Sequence, residues 1–149
     1  MIRWRAASAD DVPAVVALLA DDMLGQAREG TDLAPYHAAF AAMRAEGANH
    51  LIVAEDAAGR IVATYQITFI SGLSLRAARR AQLESLRVAA DLRGQGVGAA
   101  LIADAEARAR AAGCRLLQLT TNKARARAQD FYTRLGFTPS HIGFKRDLD

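Results

Sequence analysis

The sequence has one cysteine and three histidines, which leaves few side chains for disulfide or metal chemistry. Cys114 has no second cysteine with which to form an internal disulfide. One cysteine and three scattered histidines also do not make the clustered pattern of a zinc site. We therefore predict a metal-free protein, and the scarcity of cysteine favours a cytoplasmic location.

Long hydrophobic runs are also missing. No apolar segment approaches the roughly 20 residues that a transmembrane helix needs. The most signal-like segment, residues 12–20, is bracketed by acidic pairs at 10–11 and 21–22, whereas a secretory signal needs a basic flank and then small residues. We expect this segment to be a helix of a soluble protein that makes no use of a membrane.

Lysine is scarce, and the charge is divided unevenly along the chain. Residues 1–75 hold 5 Lys/Arg and 9 Asp/Glu, a net charge of −4, whereas residues 76–149 hold 14 and 7, a net charge of +7. A basic half favours an anionic ligand. Only two of these basic residues are lysines and aromatic residues do not interleave with the arginines, which argues against a nucleic-acid surface. The length of 149 residues fits one domain over 1–149.

Apolar periodicity and turn residues predict a mixed layout of helices over a sheet, of the α/β (α+β) class. Ser8 and Asp11 have the spacing of a helix N-cap. Leu83 and Leu86 do not alternate cleanly within their strand, which indicates a β-bulge. The polar stretch 25–32 predicts a mobile loop. Strands are predicted over 2–6, 51–54, 61–70, 82–88 and 116–120, helices over 12–20, 33–46, 96–113 and 124–135, and one or two closing strands over 137–148.

A glycine-rich loop, Arg93-Gly-Gln-Gly-Val-Gly98, lies between a predicted strand and the next helix. Glycines let the backbone approach a ligand closely. The first N–H groups of a helix have no partners within the helix, so together with the helix dipole they bind phosphate oxygens. Arg93 adds a positive charge at the loop entrance. The loop therefore predicts an anion-binding site.

Other interpretations of the loop are weaker. Gly94-x-Gly96-x-x-Ala99 fits a dinucleotide-binding fingerprint, but the acidic residue expected about 20 positions later is absent. A Walker loop needs Gly-Lys-Ser/Thr, which does not follow. A plain turn followed by a helix start is the remaining structural alternative.

Three segments in order resemble the GNAT superfamily of N-acetyltransferases. Arg93-Gly-Gln-Gly96-Val-Gly98 resembles the acyl-coenzyme A pyrophosphate loop R/Q-x-x-G-x-G/A of that family. The strand end at Leu116-Leu-Gln-Leu-Thr-Thr-Asn122 and the block Phe131-Tyr-Thr-Arg-Leu-Gly-Phe137 agree with it in order and spacing. The likeness is specific from about residue 82 to 145 and topological before that.

The resemblance implies a mixed, mostly antiparallel central sheet flanked by helices, with a splayed strand pair for acetyl-coenzyme A. It implies that the backbone of Leu86 and Val88 pairs with the pantetheine arm, with the Val88 region polarising the thioester carbonyl. It also implies that the loop amides bind the pyrophosphate, and that Asn122 binds the pantetheine or caps the next helix. The implied cofactor-binding residues are Leu86, Val88, Arg93, Gly94, Gln95, Gly96, Val97, Gly98, Ala99 and Asn122.

Two residues match the family's catalytic positions. Glu84 matches a carboxylate that acts, often through water, as general base, and Tyr132 matches a tyrosine that acts as general acid. Glu84 is equally explained as a structural carboxylate paired with a neighbouring arginine, and Tyr132 as a core residue. The implied reaction transfers an acetyl group directly to the primary amine of a small molecule or peptide in a ternary complex.

The acceptor's determinants are expected in residues 23–36 and 70–80, the least family-like parts. Arg76, Arg79 and Arg80 either select an acidic acceptor or keep their loop solvated. A catalytically silent acyl-coenzyme A sensor on the same fold and, less well supported, a nucleic-acid-binding module are the alternative functions. Dimers are common in the family, which leaves a homodimer open.

Overall fold

The computed structural model describes residues 1–21 and 24–149. Asp22, which flanks the first predicted helix, and Met23, which opens the predicted acceptor region, lie outside these ranges. The described strands are β1 (Arg3–Ala6), β2 (Asn49–Glu55), β3 (Ile61–Ile70), β4 (Arg80–Val88) and β5 (Leu116–Leu119). The described helices are α1 (Val12–Ala20), α2 (Gly25–Arg28), α3 (Ala34–Glu46), α4 (Ser74–Ala77), α5 (Val97–Ala111) and α6 (Ala126–Arg134).

The chain divides into two compact units, Met1–Gln118 and Leu119–Asp149, which are described separately. In the first unit, capping residues set the helix boundaries. Asp11 Oδ2 accepts a hydrogen bond from Ser8 N at 2.8 Å, which confirms the predicted cap in front of α1. Gly47, with a φ of 79°, ends α3 in a backbone conformation that favours glycine.

The strands form one five-stranded sheet in the order β1-β2-β3-β4-β5. The pairs β1/β2, β2/β3 and β3/β4 are antiparallel. Arg115 N donates to the carbonyl of Arg79 at 2.8 Å, and Gln118 Nε2 donates to Gln82 Oε1 at 2.6 Å. Since the residue numbers of the partners rise together along both strands, β5 runs parallel to β4. The sheet is therefore mixed and mostly antiparallel, as predicted.

The predicted β-bulge lies in β4. Gln66 pairs with Glu84 and Thr64 pairs with Arg87, so two steps along β3 correspond to three along β4. Ser85 takes up the extra length with a φ of 56°. Residues two apart on a regular strand share a face, and so do direct cross-strand partners. Glu84 and Arg87 therefore lie on the same face of the sheet as Gln66 and Thr64.

The two faces of the sheet are covered by different helices. Tyr65 Oη donates to Asp104 Oδ2 of α5 at 2.6 Å, so the face of Tyr65 packs against α5. Thr64 and Gln66 alternate with Tyr65 and lie on the opposite face, which α1 and α3 cover. The central core is fully or almost fully buried and includes Val53, Val62, Tyr65, Ile67, Leu83 and Leu101.

The loop before β4 has an unusual backbone. Leu75, Arg76 and Ala77 within α4 have φ values of 53°, 58° and 59°, so this turn is left-handed. Leu73 and Leu75 are 93% and 67% exposed. Leucine, arginine and alanine seldom adopt this conformation, so the sequence did not predict this turn.

In the second unit, α6 ends in front of Gly136, whose φ is 93°. Tyr132 lies between two aromatic rings, 5.3 Å from the Phe131 centroid and 5.8 Å from the Phe137 centroid. Asn122 Oδ1 accepts a hydrogen bond from Ala124 N at 2.9 Å. These contacts give the unit a small aromatic centre at the end of α6.

Three predictions about the chain path are wrong. Residues 137–149, all of them described, form no strand, and Ile142 and Phe144 are 72% and 92% exposed. The stretch 25–32 is not a loop throughout, because it contains the helical turn α2. The last helix begins at Ala126 with Arg125 as its N-cap, so Asn122 caps the turn that precedes the helix rather than the helix itself.

Candidate functional site

The glycine-rich loop leads directly into α5. Gly94 and Gly96 have φ values of 79° and 83°, and Gly96 is the N-cap of the helix. A Cβ atom built on either glycine would meet nothing within 4 Å, so the space in front of the loop backbone is open. The first N–H groups of a 15-residue helix, with its positive dipole end, face that space.

The composition of this loop fits a pyrophosphate. Residues 93–99 contain no acidic side chain, and most of them are exposed. The nearest carboxylate in the sequence, Asp91, pairs with Arg60 through contacts of 2.9 and 3.1 Å. Gln95 Nε2 donates to the carbonyl of Asp91 at 3.0 Å, which fixes the loop entrance. The loop therefore presents backbone donors to an anion without a repelling charge of its own.

The Arg93 side chain, at the entrance of the loop, also contacts the end of α1. Its Nη2 donates to the carbonyl of Asp21 at 3.2 Å, at the end of α1. A guanidinium is favourable there, because the last carbonyls of a helix carry partial negative charge. In this structure Arg93 ties the loop to α1, and the loop amides are the principal anion donors.

The remaining first-unit candidates lie in the second half of β4. Leu86 and Val88 are half-buried, and Glu84 and Ser85 are exposed. Arg79, just before β4, and Gln82, near its beginning, make the contacts with β5 and its preceding residue. Both contacts lie before the bulge. Glu84 shares its sheet face with Gln66. The structure thus brings Glu84, Leu86, Val88 and the glycine loop together along one strand and its continuation.

Asn122 and Tyr132 belong to the second unit. Asn122 is exposed, and its carboxamide oxygen already caps a turn. Tyr132 is half-buried against Phe131 and Phe137, so part of its surface remains accessible.

Of the arginines at 76, 79 and 80, Arg79 has contacts that give it a structural role. Arg79 donates from Nε to the carbonyl of Ala112 at 3.1 Å and from Nη1 to Ser71 Oγ at 2.9 Å. Its guanidinium carbon also lies 5.7 Å from the centre of the Phe69 ring. Arg79 therefore joins the loop before β4 to the end of α5. The sequence carried no signal for this role, since Ala112 is distant in the chain.

A pocket that the sequence did not predict lies on the face of Glu84. Its volume is about 160 Å³, and it is a cleft that α1, α3 and the sheet border on three sides. Val16 of α1 and Phe40 of α3 belong to an apolar cluster that also contacts Leu51 of β2. Gln66 and Ser85 supply the polar edge of the pocket. Helical periodicity indicated the apolar faces of α1 and α3, but it did not indicate that they leave space between them.

A strongly perturbed phenol, that of Tyr65, belongs to a buried network behind the sheet. Burial of Tyr65, together with its hydrogen bond to Asp104, raises the pKa of the Tyr65 hydroxyl well above its usual range. Arg108 Nε donates to the same Asp104 oxygen at 2.8 Å. The network joins β3 to α5 on the face opposite the pocket, so we assign it to the fold.

A second network anchors β1. Arg5 donates to Asp11 with distances of 2.7 and 2.9 Å, and this contact lowers the pKa of the Asp11 carboxyl. Arg3 and Arg5 also donate to Glu55, and they lower the pKa of that carboxyl as well. Both carboxylates stay ionised because guanidinium groups hold them. This network joins the edge strand to its neighbour and to the start of α1.

Within residues 1–21 and 24–149, no group of three or more His, Cys, Asp or Glu side chains is placed to hold a metal ion. In the same part of the chain, no helix combines the length and apolar character needed to cross a bilayer.

Comparison with known proteins identifies the family. The sequence model of the acetyltransferase (GNAT) family matches residues 13–137, which is most of the chain. The match includes β4, the glycine loop and α6. The protein belongs to the acetyltransferase (GNAT) family.

Particular proteins are similar to this chain in sequence or in fold. The aminoalkylphosphonate N-acetyltransferase of Salmonella typhimurium is 42% identical over 67 residues, which are 45% of this chain and 44% of that protein. The chain thus matches less than half the length of that relative. A transcriptional regulator from Bacillus halodurans is 38% identical over 99% of this chain and 100% of its own, with a TM-score of 0.94. Glucosamine-6-phosphate N-acetyltransferase from Arabidopsis thaliana shares the fold, with a TM-score of 0.81 at 18% identity over 100% of this chain and 99% of its own.

Proposed function

We propose that this protein is an N-acetyltransferase that moves an acetyl group from acetyl-coenzyme A directly to the primary amine of a small molecule or peptide. The observation that carries the proposal is the loop at residues 93–99, which presents backbone donors at the start of α5 beside open space. Family membership supports the same cofactor. Acetyl-coenzyme A supplies an activated acetyl thioester when it is bound.

The first unit supplies the binding groups. The amides of Arg93, Gly94, Gln95, Gly96, Val97, Gly98 and Ala99 hold the pyrophosphate, and the backbone of Leu86 and Val88 holds the pantetheine arm. The Val88 region also donates to the thioester carbonyl oxygen. Stabilisation of a developing oxyanion by one such donor is worth about 3–4 kcal/mol.

Glu84 acts as the general base. An amine attacks only when it is neutral, so the ammonium proton has to leave before the new nitrogen–carbon bond forms. Glu84 is an exposed carboxylate on the second half of β4, and it accepts that proton directly or through water. Its position across from Gln66 places it on the face of the apolar pocket.

Tyr132 and Asn122, in the second unit, take roles that rest on the family resemblance. Tyr132 holds a proton on its hydroxyl oxygen and donates it to the sulfur that the acetyl group leaves. Asn122 positions the pantetheine arm through its carboxamide. The nitrogen–carbon bond forms as the carbon–sulfur bond breaks, and the products are the acetylated amine and free coenzyme A. The nitrogen loses a second proton on becoming an amide, which replaces through solvent the proton that Tyr132 gives to sulfur, and the proton on Glu84 passes to water.

Two measurements test the proposal. Calorimetric titration with acetyl-coenzyme A should show binding, and absence of binding at millimolar ligand would exclude it. A screen for thiol release over varied amines should find an acceptor, and 2-aminoethylphosphonate belongs in the screen because of the Salmonella relative.

Variants separate the two catalytic roles. Glu84→Gln should lower kcat at pH 7 about 100-fold or more with unchanged acetyl-coenzyme A affinity. Glu106→Gln is the matched control, since Glu106 is an exposed residue of α5 that pairs with Arg110. Tyr132→Phe should mainly lower kcat, and an unchanged kcat would remove Tyr132 from the acid role.

A regulatory function is the second candidate. The Bacillus halodurans relative is named a transcriptional regulator, which favours an acyl-coenzyme A sensor on the same fold. A sensor would bind acetyl-coenzyme A and acetylate no amine in the screen. DNA affinity with a steep salt dependence would point to a nucleic-acid-binding module instead.

One domain over 1–149, a cytoplasmic location and a homodimer stay predictions. Light scattering on the purified protein measures its oligomeric state directly.

A further inference from the structure

We propose that the pocket between α1, α3 and the sheet binds the apolar part of the acceptor, and that the acceptor is a primary amine carrying one benzene-sized aryl or branched alkyl group. This inference rests on the proposed acetyl transfer and narrows its substrate class. It is carried by the pocket's volume, its lining and its position beside Glu84.

The lining is apolar on three sides. Val15 and Leu19 of α1, Phe40 and Met43 of α3, and Leu51 of β2 all border the space. Burying an apolar group against such side chains is favourable by about 25 cal/mol for each Å² removed from water. The pocket therefore favours a hydrocarbon group over water.

Three of the four polar side chains of the lining are already engaged, and Ser85 is the fourth. Thr64 Oγ1 donates to the carbonyl of Ile52 at 2.9 Å, and Gln66 Nε2 donates to Asn49 Oδ1 at 2.8 Å. Tyr36 Oη donates to Glu29 Oε1 at 3.0 Å, so its ring rather than its hydroxyl serves the pocket.

None of the described residues that line the pocket carries a charge. A phosphonate or carboxylate placed among these side chains would lose its hydration without a cation of the lining itself as a partner, which is costly. The lining therefore selects against an acceptor whose far end is anionic.

The edge of the pocket lies beside the proposed base. Ser85 lines the pocket, Glu84 precedes it in the chain, and Glu84 is the cross-strand partner of the lining residue Gln66. Direct partners in antiparallel strands have Cβ atoms about 5 Å apart. An acceptor with its apolar end in the pocket thus places its ammonium near the Glu84 carboxylate, which attracts it.

The volume sets the size of the apolar group. The pocket measures about 160 Å³. An apolar cavity of about 150 Å³ holds one benzene molecule. A phenyl or branched alkyl group therefore fits, whereas an aminoglycoside or a folded peptide segment does not enter.

Three amines with the same two-carbon unit test the proposal. 2-Phenylethylamine carries a benzene ring, 2-aminoethylphosphonate an anionic group, and ethylamine neither. We expect kcat/KM for 2-phenylethylamine to exceed both others by about tenfold or more. Calorimetry in the presence of coenzyme A should show the same order of affinity without any need for turnover.

Paired variants locate the binding. Ala39 is exposed on α3 and borders the pocket, so Ala39→Phe should fill the mouth and reduce 2-phenylethylamine affinity about tenfold or more. Ala38→Phe is the matched control, since Ala38 is the adjacent exposed residue and is not a lining residue. Met43→Ala enlarges the pocket and should shift preference toward a naphthyl amine.

The outcomes separate this inference from the proposed function. If no amine is acetylated but 2-phenylethylamine binds and Ala39→Phe alone abolishes the binding, the pocket assignment stands and acetyl transfer fails. If amines are acetylated but 2-aminoethylphosphonate is preferred, or Ala38→Phe and Ala39→Phe act alike, acetyl transfer stands and the pocket assignment is overturned.

Discussion

The hydroxyl of Tyr65 on the central strand β3 donates a 2.6 Å hydrogen bond to the Asp104 carboxylate of α5. The tyrosine is completely buried, and the bond joins the sheet to the helix that begins at the glycine loop. The Tyr65–Asp104 pair therefore fixes where the loop backbone stands relative to the sheet.

Tyr65→Phe should destabilise the protein by about 1.5–3 kcal/mol, because a buried hydrogen bond to a charged group is lost and Asp104 keeps Arg108 as its partner in this network. Urea unfolding at pH 7 measures the difference. Tyr36→Phe is the control, since Tyr36 is half-exposed and should lose clearly less. Equal losses would show that the Tyr65 hydroxyl is not specially placed.

The same pair predicts a dependence on alkaline pH. Burial and the Asp104 hydrogen bond raise the pKa of Tyr65 above the value of about 10 that an unfolded tyrosine has. The unfolded chain therefore loses this proton first, so the stabilisation is complete below pH 10 and declines as the pH rises above it. Unfolding curves at pH 7–11 should show a decline that is smaller in Tyr65→Phe.

Asp11 predicts the opposite dependence at acid pH. Its hydrogen bonds from Arg5 lower its pKa below the unfolded value of about 3.9. The stabilisation is present above pH 4 and is lost as the pH falls through the folded pKa. Asp11→Asn should flatten this acid slope and cost about 1–3 kcal/mol at pH 7. Asp10→Asn, at an exposed neighbour, should leave the slope unchanged.

At Ser85 in the bulge, we expect glycine to be more stable than valine, which is the reverse of their usual order in a strand. Its φ of 56° suits glycine and strains a β-branched residue. Ser85→Gly should therefore keep or raise the free energy of unfolding, whereas Ser85→Val should lower it by about 1–2 kcal/mol. Urea unfolding of both variants checks this, and a stability of Ser85→Val at or above that of Ser85→Gly would argue against the left-handed backbone.

Gly96 should matter for cofactor binding. Space for a Cβ atom is open, so Gly96→Ala acts through the backbone, whose φ is 83°. An alanine there costs about 1–2 kcal/mol, and the free loop relaxes away from the binding geometry. Acetyl-coenzyme A affinity should fall about fivefold or more by calorimetry. Gly30→Ala, also in open space but without a left-handed φ, should bind as tightly as the parent.

Local patterns in the sequence were sufficient to predict those features of the fold that depend on residues close together in the chain. The predicted features that follow from short-range spacing are the cap at Ser8, the two strands β2 and β3, the start of α5 at the glycine loop and the bulge between Leu83 and Leu86. Each of these features involves side chains or turns within a few residues of one another, so the prediction and the structure agree.

Features that depend on distant partners were not predictable in the same way. The apolar residues of the tail suggested closing strands, but a strand needs an edge to pair with, and Ile142 and Phe144 are exposed instead. The role of Arg79 depends on Ala112, and the apolar pocket depends on the spacing between α1 and α3. No local pattern encodes those separations.

The bulge in β4 also bears on how this chain can change in length. From Glu84 to Arg87, three steps along β4 correspond to two steps along β3. Deleting Ser85 would restore a regular ladder and leave Glu84 and Arg87 on one face, but it would remove a residue that lines the pocket and the extra twist that the bulge adds. The β2–β3 turn at residues 56–60 is under no such constraint. We expect homologues to differ in length at that turn and to keep the residue count of β4 fixed.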